Sequence, residues 1–186
     1  MQINQLSGQM LLASPSLQDA HFKDAVILVC HYDQVGGMGL IINRPLKIDI
    51  HEVLEDLNIP VLDQTRASHP VFEGGPVDDF RGFVLHDHYH IYDSTMQITT
   101  ELNLTASRDI LEDLGHGKGP EQYLLLLGYA GWGAGQMEKE ISNNDWLVAP
   151  ASQHIVFQEP PENRWDIAAR GIGIERSQLS SQIGHA

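Results

Sequence analysis

A strand-like segment that runs directly into a cluster of small residues constrains this fold more than any other feature of the chain. Residues 123–127 are YLLLL, and residues 128–135 contain four glycines and two alanines. Glycines at this density permit positive φ angles and the close approach of another chain segment. Residues 136–141 favour a helix, whose first turn would present unpaired N–H groups. The segment therefore predicts a place that either binds an anion or packs two elements tightly.

The charge of the chain limits its partners. Among 186 residues, 25 Asp and Glu oppose 11 Lys and Arg, which gives a net charge of −14. Contact with DNA or RNA phosphates needs clustered Lys and Arg, and this sequence has no such run. We therefore expect no direct nucleic-acid partner. Since no linker or repeat divides the chain, a single domain is expected over residues 1–186.

Cysteine usage and hydropathy predict the compartment. Cys30 is the one cysteine and lies in an apolar run, which excludes an intrachain disulfide and predicts a small buried side chain. A reducing compartment fits this usage. No basic segment followed by an apolar stretch opens the chain, and no apolar run approaches the ~18 residues of a membrane span. We expect a soluble cytoplasmic protein without membrane contact.

The predicted strands are short apolar or β-branched runs bounded by turn residues. They cover residues 9–13, 25–32, 38–42, 71–73, 82–86, 96–99, 123–127 and 146–149. The loop 33–37 contains two glycines and predicts a hairpin between the second and third strands. Because the strands come mostly in adjacent pairs, the pattern predicts an α+β fold with a largely antiparallel or mixed sheet. A doubly wound α/β fold is the alternative.

Helices are predicted from apolar stripes and from their end signals. They cover residues 50–57, 106–114 and 136–141, and a last helix begins at Pro160. The first has apolar residues at i, i+3, i+4 and i+7, and Asp49 with Glu52 forms the pattern of a capping box. Gly115 is expected to end the second helix in the left-handed conformation.

The glycine-rich segment only loosely matches a dinucleotide-binding fingerprint. Residues 128–133 fit G-x-A-x-x-G, but Trp132 stands where a pyrophosphate would approach, and the flanking pattern is not a βαβ unit. The sequence also lacks a P-loop. Tight packing of the strand and helix is therefore the favoured interpretation, with nucleotide binding as the alternative.

Two polar turns are candidates for ligand binding. Asn43 and Arg44 precede Pro45 at the end of a predicted strand, where a guanidinium fork and an amide are suited to a carboxylate or phosphate. In a chain with this many acids, Arg44 could instead pair structurally. Glu73 stands before the tight turn formed by residues 74–76 and could line the same cleft.

A histidine-rich segment is the candidate for metal binding. In an extended strand, His86, His88 and His90 would point to one face, and three imidazoles could hold zinc. The segment is polar throughout and lies between short strands, so an exposed loop without metal is the favoured interpretation. No G-x-S-x-G or S-x-x-K pattern indicates a covalent nucleophile.

Several segments together resemble the YqgE/AlgH family of bacterial proteins. They are GLIINRP (39–45), GGPV (74–77), LGYAGW (127–132), Gly135, Gln136, Glu138, Asn144, Trp146, Leu147, LASP (12–15) with Phe22, and the closing GHA (184–186). The resemblance covers essentially the whole chain. It implies a single α+β domain built on coiled and bifurcated β-sheets. Some members carry the label of a transcriptional regulator of exopolysaccharide synthesis, but the resemblance implies no reaction, cofactor or catalytic residue.

These observations favour a binding or regulatory module that acts through a small anionic ligand or a protein partner. We expect no cofactor, and the oligomeric state is left open. The ligand would lie in a cleft at which the family segments converge and would be met by Arg44 and the helix start near Gly135. The candidate residues are Asn43, Arg44, Gly74, Gly75, Tyr129, Trp132, Gln136 and Glu138. The alternative is an enzyme, such as a hydrolase that uses Glu138 or Glu73 as its base.

Overall fold

The computed structural model describes residues 5–180, which form ten strands and seven α-helices. The strands are β1 (Gln9–Ala13), β2 (Val26–Asp33), β3 (Gly36–Ile41), β4 (Pro45–Asp49), β5 (Pro70–Glu73), β6 (Val77–Asp87), β7 (Met96–Gln97), β8 (Leu102–Thr105), β9 (Tyr123–Gly133) and β10 (Trp146–Pro150). The helices are α1 (Ile50–Asp56), α2 (Gln64–Ala67), α3 (Arg108–Gly115), α4 (Gln136–Ser142), α5 (Gln153–Phe157), α6 (Arg164–Gly171) and α7 (Arg176–Ser180). The GHA motif at 184–186 lies outside the described residues.

The ten strands form one sheet that divides along β9. Its main path runs β10-β1-β2-β3-β9-β6-β8-β7, and β5, with β4 at its other edge, also pairs with β9. Residues 130–133 of β9 pair with β3, whereas residues 123–127 and Tyr129 pair with β6, and residues 126–127 also pair with β5. Every pairing is antiparallel except that of β5 with β9. The predicted α+β fold with a largely antiparallel sheet is confirmed.

The glycine-rich segment is part of a strand, so the predicted strand end at residue 127 is wrong. β9 continues to residue 133, and the turn between β5 and β6 lies directly against it. A Cβ atom on Gly75, whose φ is +154°, would stand 2.1 Å from the carbonyl carbon of Tyr129. Gly128, with φ +75°, likewise approaches the backbone of residues 75–79. The glycines therefore allow backbone to touch backbone where the sheet divides.

The two faces of the sheet carry separate apolar clusters. Along β2, Leu28 and its alternate neighbours pack under α5 and α6, while Ile27 and Val29 pack on the opposite face with Met137 of α4. This follows from the two-residue period of a strand. A third cluster joins α1 and α3 to β5, β6 and β9. Cys30 lies in the first cluster, and its burial raises the pKa of the thiol to about 12.

Of the predicted helix ends, the capping box at the start of α1 is confirmed and the left-handed glycine after α3 is at a different position. Asp49 accepts the Glu52 N–H, and Glu52 accepts the Asp49 N–H, so the predicted capping box is present. Gly115 is the last residue of α3, and the left-handed conformation is taken by Gly117, with φ +72°. The helix expected from Pro160 begins with a 3-10 turn at Pro161–Asn163 and continues as α6.

The structure also contains elements that the sequence pattern did not indicate. They are β4, β8, α2, α5 and α7, all of five residues or fewer. The predicted hairpin is present with a tighter turn, because Asp33 pairs directly with Gly36. Within residues 5–180, no helix has both the length and the apolar character needed to cross a membrane.

Candidate functional site

Asn43 and Arg44 fasten the segment 21–26 to the end of β3. Asn43 accepts a backbone N–H of that segment and donates to one of its carbonyls, both at 2.9 Å. The two Nη atoms of Arg44 donate to two further carbonyls of the segment. The Arg44 guanidinium also lies 3.9 Å from the Glu73 carboxylate. The polar groups of both side chains therefore have partners within the protein.

Trp132 and Gln136 belong to a network centred on Glu140. The indole N–H groups of Trp132 and Trp146 both donate to Oε2 of Glu140, each at 2.9 Å. Gln136 donates to Oε1 of Glu140 at 2.8 Å, and its own carbonyl oxygen accepts the Gly133 N–H at 2.9 Å. The network connects the end of β9 to α4 and β10.

Glu138 is bound to a buried tyrosine. It accepts the Tyr32 hydroxyl at 2.5 Å, and the same hydroxyl oxygen accepts the Met137 N–H at 3.3 Å. Burial, followed by the bond to Glu138, raises the pKa of Tyr32. These contacts hold α4 against β2.

The eight candidate residues do not converge on one cleft. Gly36 at the start of β3 pairs with Gly133, close to Trp132, Gln136 and Glu138. The Ile41 N–H at the other end bonds to Gly74, where Asn43, Arg44, Gly75 and Tyr129 also lie. Five steps of about 3.3 Å per residue separate these ends by roughly 17 Å. The family segments lie on neighbouring strands but at different positions along them, so they form two separate groups.

The histidine-rich segment differs from the expected exposed loop. His86 is buried on β6, with Nδ1 2.7 Å from the carbonyl of Asp87 and Nε2 2.8 Å from the Thr105 hydroxyl. The carbonyl can only accept, so Nδ1 carries the proton, and burial lowers the pKa of His86. His88 is exposed, whereas the Nδ1 atom of His90 faces the buried Asp87 carboxylate at 3.8 Å. Among the described residues, no group of three His, Cys, Asp or Glu side chains could hold a metal ion.

A cavity of about 410 Å³ lies elsewhere, at the edge where β5 meets the start of β9. Its walls come from segments 69–72, 121–125 and 157–161, together with Ile50 and Arg164. This volume falls in the range of small-molecule binding sites. The cavity is therefore large enough for a ligand and is formed by elements that are distant in sequence.

Arg164 is the notable side chain of this cavity. It is the first residue of α6 and only 3% exposed. Its Nε donates to the Glu159 carbonyl at 3.0 Å, its Nη1 donates to the Ile42 carbonyl, and the guanidinium lies 5.4 Å from the centroid of the Phe72 ring. No carboxylate within residues 5–180 lies close enough to form an ion pair with it. Burial lowers the pKa of Arg164 to about 10.

A buried cation of this kind is costly unless a negative charge compensates it. Glu159, which lines the same cavity, directs its carboxylate to His154, with the Nε2 atom 2.6 Å away. Glu159 and Glu162 favour the charged form of Arg164, but only as a smaller effect than its desolvation. The arrangement can therefore accept an anion from outside the chain, with Arg164 as the charged contact.

Sequence reasoning missed Arg164, although two signals were available. A cation in the first turn of a helix interacts unfavourably with the helix dipole. The position of Arg164 at the start of α6 therefore indicates a role other than stabilising the helix. Arg164 also precedes Ala168 by four residues and adjoins Trp165, which places it on the edge of the apolar stripe of α6. Neither signal reports that the carbonyl of Ile42 would lie against its guanidinium.

Comparison with known proteins gives consistent matches over nearly the full length. The family described as AlgH-like matches residues 10–177. A UPF0301 protein from Coxiella burnetii is 46% identical over 183 residues, covering 98% of both chains. A UPF0301 protein from Methylococcus capsulatus is 44% identical over 180 residues, covering 97% of this chain and 96% of the relative.

Two solved structures share the fold. The solution structure of the AlgH protein from Pseudomonas aeruginosa aligns with a TM-score of 0.80 and 43% identity, covering 97% of this chain and 96% of that one. The crystal structure of protein DIP2367 from Corynebacterium diphtheriae aligns with a TM-score of 0.73 at 20% identity, covering 97% and 94%. At that identity, the second match supports the fold alone.

Proposed function

The chain belongs to the AlgH-like family, and from this kinship and the Arg164 cavity we propose that it is a binding module for a small anionic ligand. The family resemblance seen in the sequence is confirmed by these matches. The proposal keeps the anionic ligand expected from the sequence. It moves the site from Arg44 to Arg164, because Arg44 is held by backbone carbonyls and by Glu73.

The observation that carries the proposal is a 3% exposed guanidinium that lines a cavity of about 410 Å³ and forms no ion pair with a carboxylate of residues 5–180. In a chain with a net charge of −14, carboxylates are abundant, yet none in the described part of the chain lies within ion-pair distance of this cation. An anion that enters the cavity would compensate the buried charge and gain charge-assisted hydrogen bonds. Arg164 also connects α6 to Ile42, which directly follows β3, so binding would reinforce a contact between distant segments.

We extend the proposal to regulation through a protein partner that responds to the bound ligand. Direct contact with DNA is disfavoured by the net charge of −14. The hydrolase alternative has less support, since Glu138 is bonded to Tyr32, Glu73 faces Arg44, and neither lines the Arg164 cavity.

Thermal unfolding in the presence of simple anions tests the proposal. Acetate, octanoate, inorganic phosphate and octyl phosphate would each be titrated against the wild-type chain, Arg164→Met and Arg44→Met. A ligand at 100 times its Kd stabilises the folded state by about 2.7 kcal/mol, which corresponds to a rise in Tm of roughly 5–11 °C for a chain of this size. We expect at least one anion to raise the Tm of the wild type and of Arg44→Met.

The same anion should have little effect on Arg164→Met. Arg44→Met is the matched control, because it removes an arginine that lies outside the cavity. If no anion stabilises the wild type, or if Arg164→Met responds as strongly as the wild type, the proposal is wrong. Loss of the response in Arg44→Met alone would return the site to the cleft expected from the sequence.

A further inference from the structure

We infer that the ligand of the Arg164 cavity is a monocarboxylate with an apolar body, an inference that rests on the function proposed above. The juxtaposition that carries it is one buried guanidinium at the wall of a cavity that also presents a group of leucine, isoleucine and phenylalanine side chains. Charge, donor geometry and wall chemistry each restrict the ligand, and they agree.

The charges around the cavity favour a ligand with a single negative charge. Among the described residues that line it, Arg164 is the one Lys or Arg side chain, while Glu121 and Glu159 contribute two carboxylates. A second negative charge on the ligand would gain no cation and would be repelled by these acids. Phosphate monoesters carry close to two charges at neutral pH, so they fit this environment less well than a carboxylate.

The donors left on Arg164 match two oxygens in one plane. The guanidinium has five N–H donors, of which one on Nε and one on Nη1 are directed at the carbonyls of Glu159 and Ile42. Nη2 takes part in neither bond. The ring of Phe72 lies over the guanidinium, so a ligand would approach along its edge. The edge formed by Nη1 and Nη2 suits the paired oxygens of a carboxylate.

Part of the cavity wall is suited to an apolar body, beside the polar side chains of Gln122 and Gln158. Ile50, Phe72, Leu124, Leu125 and Phe157 all line it. His69, which is exposed, stacks on Tyr123 with ring centroids 5.4 Å apart, and both residues also line the cavity. Covering these apolar side chains with hydrocarbon or an aromatic ring is favourable, because it removes apolar surface from water.

The test compares ligands of one chain length that differ only in the head group. Dissociation constants of octanoate, octanamide and octyl phosphate, all below their micelle concentrations, would be measured by isothermal titration calorimetry for the wild type, Arg164→Lys and Arg164→Met. Acetate and inorganic phosphate would be measured in the same way as probes without the apolar chain. We expect octanoate to bind the wild type roughly tenfold or more tightly than octanamide, since the amide lacks the charge-assisted hydrogen bonds. It should also bind more tightly than octyl phosphate and acetate.

Arg164→Lys keeps the charge but loses the planar fork, so octanoate should bind it more weakly than the wild type and more tightly than Arg164→Met. Tighter binding of octyl phosphate or inorganic phosphate to the wild type, lost in Arg164→Met, would overturn the carboxylate inference and leave the anion-binding function standing. Acetate binding as tightly as octanoate would overturn the apolar body alone. Equal binding of octanamide and octanoate, or no binding of any probe, would overturn both the monocarboxylate inference and the anion-binding function. The wild-type comparison decides the inference even if a variant fails to fold.

Discussion

Replacement of Glu140 by alanine is expected to cause a large loss of stability, although this side chain is partly exposed. One carboxylate oxygen of Glu140 accepts the indole N–H groups of both Trp132 and Trp146, and the other oxygen accepts from Gln136. The two tryptophans are only 6% and 3% exposed and pack edge to face, with ring centroids 6.4 Å apart. The alanine variant would leave two buried indole donors without this acceptor.

The magnitude follows from the number of donors affected. A buried donor that loses its partner costs about 1–3 kcal/mol, and the exposed Gln136 bond contributes little. For two indoles, the expected loss of unfolding free energy is therefore about 2–6 kcal/mol. The loss falls in the lower half of this range if water reaches an indole N–H group and replaces the lost acceptor. For a domain of this size, a loss of about 3 kcal/mol lowers Tm by roughly 6–12 °C. Glu140→Gln keeps an acceptor oxygen and should lose only about 1 kcal/mol.

Chemical unfolding followed by circular dichroism at 222 nm provides the assay, because tryptophan fluorescence would itself change in these variants. Glu112→Ala is the matched control, since Glu112 forms an exposed helical pair with Arg108 at 2.9 Å. Such a pair is worth about 0.3–0.5 kcal/mol. If Glu140→Ala and Glu112→Ala lose the same free energy of unfolding, the assignment of Glu140 as a shared acceptor for two buried indoles is refuted.

Two further predictions concern the division of the sheet and a buried histidine. Gly75→Ala should lower the yield of folded protein or reduce the free energy of unfolding by about 3 kcal/mol or more. The reason is that the new Cβ atom would stand 2.1 Å from Tyr129, at a residue whose φ is +154°. An unfolding midpoint in urea equal to that of the wild type would contradict the close approach. The pKa of His86 is lowered by burial, so below about pH 6.5 the unfolded chain binds more protons than the folded one, and stability should decrease as the pH falls from there towards the folded pKa. His86→Gln should reduce this dependence between pH 7 and 5, and equal slopes for wild type and variant would count against a buried neutral imidazole.

Local signals in the sequence predicted much of the fold. Strand β1 was predicted with its observed bounds, and the Asp49–Glu52 capping box is present, because both depend on residues within a few positions of each other. The adjacent strand pairs were sufficient to predict a largely antiparallel sheet. The end of β9 was missed, since glycines that suggest a turn in isolation instead allow the β5–β6 turn to lie against an extended strand.

The candidate site was less predictable, because a ligand site depends on which side chains still lack partners after folding. Arg44 has the residue type of an anion-binding group, but carbonyls of segment 21–26 and Glu73 occupy it. Glu138 similarly binds Tyr32, which is 106 residues away in the chain. Residue type and position at a strand end can indicate that a side chain is suited to bind a ligand. They do not show whether other parts of the folded chain already form hydrogen bonds or ion pairs with it.

The sequence by itself determined the family, the alternation of buried and exposed strand residues, and the caps of individual helices, since each is encoded over short distances in the chain. Only the tertiary structure placed the Arg164 guanidinium against the carbonyl of Ile42, 122 residues away, and at the wall of a cavity. The burial of this guanidinium, with no carboxylate of residues 5–180 paired to it, arises because distant segments exclude water together. For that reason, the anion-binding property proposed for Arg164 belongs to the assembled fold.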